Sequence, residues 1–161
     1  AMPALILPVA EAAGILPARG SLLGLDLGTK TIGVASCDPD RRLAAGVETI
    51  ARGKFTPDAE RILSLASARG AIGLVLGLPM NMDGSEGPRA QASRAFARNL
   101  SRLTELPILL WDERLSTAAV ERDMIATDMS RARRAEVVDQ QAAAFILQGA
   151  LDRLRFIAEG R

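Results

Sequence analysis

Two short apolar segments joined by a tight turn constrain the fold of this chain more than any other feature. Residues 22–26 and 32–36 are rich in Leu, Ile and Val, and a Gly-Thr-Lys turn lies between them at positions 28–30. Apolar runs of this length bounded by turn residues are typical of β-strands, so the sequence predicts a β-hairpin. Asp26 ends the first strand and places a carboxylate beside small residues and a lysine. That arrangement suits a protein that holds a metal ion against a phosphate, whether of a nucleotide or of a nucleic-acid backbone.

Further apolar segments extend the hairpin into a single α/β domain. The predicted elements are a third strand over 43–50, buried strands over 71–78 and 107–111, helices over 57–69, 88–103 and 137–157, and a helix beginning near Ser116 or Thr117. Strand–helix crossovers favour parallel pairing, whereas the first three strands predict an antiparallel meander. We therefore expect a mixed five-stranded sheet flanked by helices, for which 161 residues suffice.

The segment before the hairpin is apolar and carries three prolines. It lacks the basic start of a signal peptide and a run long enough to cross a membrane. We expect residues 1–21 to form a loosely packed or partly disordered extension and residues 22–161 to form the domain. Cys37 is the only cysteine, which fits a reducing, cytoplasmic setting.

The composition excludes several kinds of chemistry. Histidine is absent, which removes serine-type triads, imidazole bases and the usual zinc sites. The net charge is only +1, so any affinity for nucleic acid must come from local clusters of cations.

Acidic residues follow two of the predicted strands at the sheet edge where sites of α/β proteins form. They are Asp26 after the first strand and Asp112 or Glu113 after the last. A further acid, Asp139, begins the apolar stripe of the final helix that contains Ala142, Ala143, Ile146 and Ala150. The stripe turns Asp139 towards the sheet.

Carboxylates that converge repel one another unless a cation offsets their charge. Oxygen ligands favour Mg²⁺ or Mn²⁺, and two such ions can cleave a phosphodiester without histidine. Simpler interpretations remain: Asp26 as a turn residue, Glu113 in an exposed charged run and Asp139 as a helix-start acid.

Cations near these acids are candidates for binding phosphate. Lys30 follows the first acid, and a denser basic stretch, Arg131, Arg133 and Arg134, precedes Asp139. A third set, Arg94, Arg98 and Arg102, repeats every four residues, and we interpret it as a solvated helix face rather than a binding surface.

Four separated motifs together resemble the YqgF/RuvX family. They are LDLGTKTIGVA at 25–35, GLPMNMDGSEGPRA at 77–90, WDERLST at 111–117 and VDQQAAAFILQ at 138–148. The resemblance covers about residues 22–152. It implies a ribonuclease H-like fold related to Holliday-junction resolvases, and a nuclease that processes the 5′ end of pre-16S ribosomal RNA in the bacterial cytoplasm.

The resemblance also assigns the family's three acids to Asp26, Glu113 and Asp139, which would act as catalytic metal ligands for Mg²⁺ or Mn²⁺. In this hypothesis the substrate-binding residues are Thr29, Lys30, Arg114, Arg131, Arg133 and Arg134. The chain departs from the family at Leu27, where an aromatic residue is frequent, and in its long extension.

Other functions remain open at the level of sequence. An Asp-x-Gly-Thr motif also resembles the phosphate loop of actin-like and sugar-kinase ATPases, but those need two such domains and this chain has room for one. A non-catalytic module that binds ribosomal precursors or another protein is a further alternative. The sequence does not choose between structured RNA and branched DNA, nor between a monomer and a homodimer.

Overall fold

The computed structural model describes residues 3–115 and 131–160, and the side chains of the last helix from residue 139 onward. The strands are β1 Ile6–Pro8, β2 Ser21–Leu27, β3 Thr31–Cys37, β4 Ala44–Ala51, β5 Ala71–Leu78 and β6 Ile108–Asp112. The helices are α1 Val9–Ala12, α2 Phe55–Ala68, α3 Pro88–Ser101 and α4 Arg131–Ala158, with a 3₁₀ turn at Glu113–Leu115. The helix predicted to begin near Ser116 or Thr117 lies outside the described residues.

All six strands belong to one mixed sheet, in the order β1-β6-β5-β2-β3-β4. Strands β1, β6, β5 and β2 run parallel, and β2, β3 and β4 form the antiparallel meander. The predicted α/β class and mixed pairing are confirmed. The count of five strands was one too low, because β1 pairs with the outer edge of β6.

The N-terminal segment packs against the domain, in contrast to the loose extension that its prolines suggested. The Ile108 N–H donates to the Leu5 carbonyl at 2.8 Å, which joins the segment to β6. Val9 and Ala12 of α1 are buried against α4. The three paired residues of β1 and the single turn of α1 hold the segment against the domain. Both elements are too short to show hydrophobic periodicity in the sequence.

Helices cover both faces of the sheet because side chains of the central strands alternate between two apolar clusters. Leu23, Leu25 and Leu27 point to the cluster beneath α2 and α3, whereas Leu22 points to the cluster beneath α1 and α4. By the same alternation, Asp26 lies on the α4 face.

Glycines let α4 lie very close to the sheet. A Cβ at Gly24 would come within 2.8 Å of Leu147 Cβ, and one at Gly46 within 2.9 Å of Gln140 Cβ. The predicted small-residue stripe of α4 is fully buried: Ala142, Ala143, Ile146 and Ala150. Glycine on the strands and alanine on the helix therefore bring the first turns of α4 down onto the strand ends. Across the residues that the structure describes, no helix is both long and apolar enough to span a bilayer.

Candidate active site

Asp26 is the second-to-last residue of strand β2, which pairs with β3 in the predicted hairpin. The hairpin is confirmed. The Gly28 N–H donates to the Thr31 carbonyl at 2.9 Å and closes the turn, and Asp26 is directly paired with Gly33 on β3. Only 4% of Asp26 is exposed. A carboxylate this buried needs a specific reason to be there, since burial disfavours its charged form.

Glycine flanks Asp26 on both neighbouring strands. Gly33 is its partner on β3, and the parallel register that pairs Leu25 with Leu76 continues to Gly77 on β5. Neither neighbour has a side chain on the α4 face. The backbone of the sheet is therefore not covered by side chains on either side of the Asp26 carboxylate. We call the two uncovered positions, Gly33 and Gly77, the glycine shelves.

Asp139 of α4 lies over the Gly33 side of the glycine shelves. A Cβ at Gly33 would overlap the carbonyl oxygen of Asp139, so the helix backbone rests on the glycine. The Thr31 hydroxyl donates a hydrogen bond to the Asp139 carboxylate. Strand β3 thus fixes both the backbone and the side chain of Asp139 beside the end of β2.

Glu113 reaches over the Gly77 side. It is the first residue of the 3₁₀ turn after β6, and its Oε1 lies 2.8 Å from the position that a Cβ on Gly77 would occupy. Of the two acids at the end of β6, Glu113 is the one whose side chain lies over the sheet, above Gly77 of β5.

Asp112, the alternative acid at this strand end, is held elsewhere. Its carboxylate accepts hydrogen bonds from the Arg114 side chain, the shortest 2.6 Å from Nη2, and one from the Arg114 backbone N–H at 2.9 Å. The Arg114 hydrogen bonds lower the pKa of Asp112. Arg114 also donates to the Met82 carbonyl at 3.4 Å. Arg114 was predicted to bind substrate. In the structure its side chain joins the end of β6 to the loop that contains Met82.

An open cleft of about 420 Å³ lies at the tip of the β2–β3 hairpin. Its lining consists of Asp26, Gly28, Thr29, Lys30, Thr31, Arg89 and Asp139. The structure therefore brings Asp26 and Asp139 together with the predicted substrate residues Thr29 and Lys30. Glu113 is not part of this lining and lies beyond Gly77. We call this space the acid cleft.

Arg89 is the residue of the acid cleft that sequence reasoning missed. It follows Pro88 at the start of α3 and lies within the GPRA end of the second motif, but it looks like any exposed arginine at a helix start. The proximity of α3 to the hairpin tip, which the sequence does not display, brings it to the acids.

Lys30 and Arg89 have no acidic partner among residues 3–115 and 139–160, although two carboxylates line the same cleft. Other arginines are paired, for example Arg94 with Glu86 at 2.6 Å. That pair agrees with the interpretation of the Arg94 stripe as a solvated face. Cations held beside acids without pairing to them suit an anionic ligand.

The remaining basic candidates, Arg131, Arg133 and Arg134, lie in the first turn of α4, and their side chains fall outside the described part of the chain. Their predicted contact with phosphate stays a prediction. Cys37 lies at the opposite end of β3, where burial raises the pKa of its thiol, as expected for a structural cysteine.

The donor set of the site suits a hard divalent cation in chemistry, since Asp26, Asp139 and Glu113 offer only oxygen. Within residues 3–115 and 139–160, no three acids or thiols are already gathered at metal-binding spacing. Two carboxylates share the acid cleft, and the third approaches over the adjacent glycine. The chemistry of these residues therefore fits such an ion, with Glu113 lying outside the cleft that Asp26 and Asp139 share.

The sheet order, the placement of the helices and the acid at the end of the first hairpin strand define a protein with a ribonuclease H-like fold. The chain belongs to the RuvX family, whose model is described as "RuvX: Holliday junction resolvase" and matches residues 20–153.

Similar proteins support both statements. Relatives named "Putative pre-16S rRNA nuclease" include one from Rhodopseudomonas palustris strain HaA2, 74% identical over 95% of this chain and 96% of its own length. Another, from Nitrobacter winogradskyi, is 72% identical over 95% of this chain and 94% of its own. The Thermus thermophilus RuvC structure with a Holliday junction substrate has a TM-score of 0.53 at 11% identity, covering 84% of this chain and 96% of that one. That likeness is one of fold.

Proposed function

We propose that this protein is a metal-dependent endonuclease that cleaves phosphodiester bonds in structured RNA, with the 5′ end of pre-16S ribosomal RNA as its substrate. The observation that carries the proposal is the pair of glycine shelves, which leave room for Asp139 and Glu113 on either side of the buried Asp26. The name of the 74% identical relative supports the choice of substrate. Such a role belongs in the bacterial cytoplasm.

In this proposal Asp26, Glu113 and Asp139 hold Mg²⁺ or Mn²⁺. When bound, a pair of such ions supplies activation of a water molecule and charge stabilisation at the leaving oxygen. The burial of Asp26 keeps its carboxylate in a fixed place, and the Thr31 hydroxyl orients that of Asp139. Lys30 and Arg89 hold the substrate phosphate by charge-assisted hydrogen bonds.

Replacement of Asp26 by Asn tests the proposal, because the amide keeps the shape of the side chain and removes its charge. We expect cleavage of a labelled pre-16S 5′ fragment to fall at least about 100-fold, since loss of a preorganised charge at a site costs this much. RNA binding without metal should persist. The matched control is Asp40→Asn, an exposed acid paired with Arg19 beyond the far end of β3, which should cleave like the wild type.

The family description favours a second substrate, a four-way DNA junction. The same assay should therefore include a synthetic junction, with and without Mn²⁺. Cleavage of the junction but not of the RNA would replace the proposed substrate and keep the chemistry. Binding by the wild type without cleavage under any divalent metal would favour a non-catalytic module.

A further inference from the structure

We propose that a second backbone phosphate of the substrate binds between Arg52 and Arg89, in a small cleft next to the acid cleft. The proposal rests on the proposed function only in taking a nucleic acid as ligand. It assigns to Arg52 a role in binding away from the bond that is cut, and it has Arg89, which lines both clefts, contact this second phosphate as well.

The small cleft has a volume of about 70 Å³ and is lined by Leu27, Gly28, Thr29, Arg52, Arg89, Ala92 and Ser93. It shares Gly28, Thr29 and Arg89 with the acid cleft. The two spaces therefore lie side by side over the hairpin turn. A space of this size accommodates a single phosphate group.

Arg52, which lines this space but not the acid cleft, makes three contacts with its surroundings. Its backbone N–H donates to the Lys30 carbonyl at 2.8 Å, and its Nη1 donates to the Gly28 carbonyl at 2.5 Å. The guanidinium carbon also lies 5.6 Å from the centre of the Phe96 ring. These contacts fix the plane of the guanidinium while most of its five N–H donors remain for a ligand.

Arg89 lies between the two clefts, exposed on the first turn of α3. In the part of the chain with described side chains, neither Arg52 nor Arg89 forms an ion pair. Arg52 and Arg89 both line this small space, and an anion bound there would offset the repulsion between their like charges. A phosphodiester that continues from the acid cleft across Gly28 and Thr29 would supply that anion.

The test measures binding in the Asp26→Asn background without divalent metal, so it needs no cleavage. Affinity for the pre-16S 5′ fragment is measured against salt concentration for Arg89→Ala and for Arg52→Gln. Loss of one phosphate contact should reduce the slope of log K on log salt by about 0.7 to 0.9. The matched control, Arg98→Ala, removes an exposed α3 arginine outside both clefts and should leave the slope unchanged.

An unchanged slope for Arg52→Gln, with thermal melting like that of the parent, would overturn the proposal, because Arg52 lines only the small cleft whereas Arg89 also lines the acid cleft. The outcome is separate from that of the proposed function, because a protein that binds RNA and never cleaves it can still show the slope change. A four-way DNA junction forms a second arm. A slope change for Arg52→Gln on either nucleic acid supports the phosphate site and identifies the backbone that enters it. Wild-type binding that does not depend on salt concentration overturns it.

Discussion

At the scale of single residues, the absence of a side chain matters as much as the acids themselves. Gly33 and Gly77 flank Asp26, and the two other candidate acids approach over them. The two glycines differ in what they touch. Gly33 meets rigid helix backbone, whereas Gly77 meets the ends of two side chains, those of the buried Ile146 and of Glu113. Alanine at each position should therefore have a different effect.

Gly33→Ala should weaken the whole fold, because its methyl group would overlap the Asp139 carbonyl and force α4 away from the sheet. We expect a loss of about 1 to 3 kcal/mol, as for other overpacked sites. For a chain of this size that corresponds to a fall in Tm of about 2 to 12 °C. Gly53→Ala is the control, since a Cβ there meets nothing within 4 Å. Equal Tm values for the two variants would contradict the close packing of α4.

Gly77→Ala should instead impair activity more than stability. Its methyl group would come within 2.8 Å of Glu113 Oε1, which can rotate aside, and within 2.6 Å of Cδ1 of the buried Ile146, which must shift slightly. We expect cleavage to fall about 10-fold or more for a displacement of the order of 1 Å, with a smaller loss of Tm than for Gly33→Ala. Melting and cleavage are measured on the same preparation of the variant. A lower Tm with an unchanged cleavage rate would exclude a role of Glu113 in cleavage.

At the scale of elements, the turn after β6 separates two neighbouring acids into different roles. Asp112 is bound by Arg114 and stabilises the turn, while Glu113 extends over the sheet. The sequence could not make this distinction from the residues alone, because adjacent acids after a strand are chemically alike. The direction of each side chain depends on the 3₁₀ turn that follows β6.

Asp112→Asn should reduce stability in a pH-dependent way. Arg114 lowers the pKa of Asp112 in the folded protein, so the ion pair stabilises the fold above the ordinary carboxyl pKa of about 3.9. That stabilisation disappears as the pH falls through the lower, folded pKa. We expect a difference from wild type of about 1 kcal/mol by urea unfolding at pH 7, and a smaller one at pH 3.

The control for the ion pair of Asp112 with Arg114 is Glu105→Gln. This variant changes an exposed acid that has no ion pair among the described residues. Its difference from the wild type should be small and should not follow the same pH dependence. A stability difference for Asp112→Asn that is equal at both pH values would show that the ion pair with Arg114 contributes nothing.

At the scale of the whole molecule, the N-terminal segment completes the sheet and covers part of α4. Adjacent positions test this packing: Val9 is buried and Ala10 is exposed. Val9→Asp should cost several kcal/mol, since it buries a charge, whereas Ala10→Asp should melt close to the wild type. Similar melting curves for both variants would favour the loose extension expected from the prolines.

The sequence predicted the central sheet because its strands are long apolar runs separated by turn residues, and it predicted α4 because Asp139 begins a stripe of small residues. It missed β1, whose three residues include Pro8 and show no periodicity. Arg89 was missed for another reason. Its relation to Asp26 depends on how α3 packs beside the hairpin, and a single sequence without a fold does not contain that distance.

The hydrogen bond from Thr31 to Asp139 joins residues 108 positions apart in the chain. A ribosome that has released only the hairpin has made Asp26 and Thr31, but not yet the helix that carries Asp139. The site is therefore assembled only after the helix that carries Asp139 has been made and has packed against the glycines of the sheet. If the protein cuts RNA, a growing chain has no complete cutting site until that step.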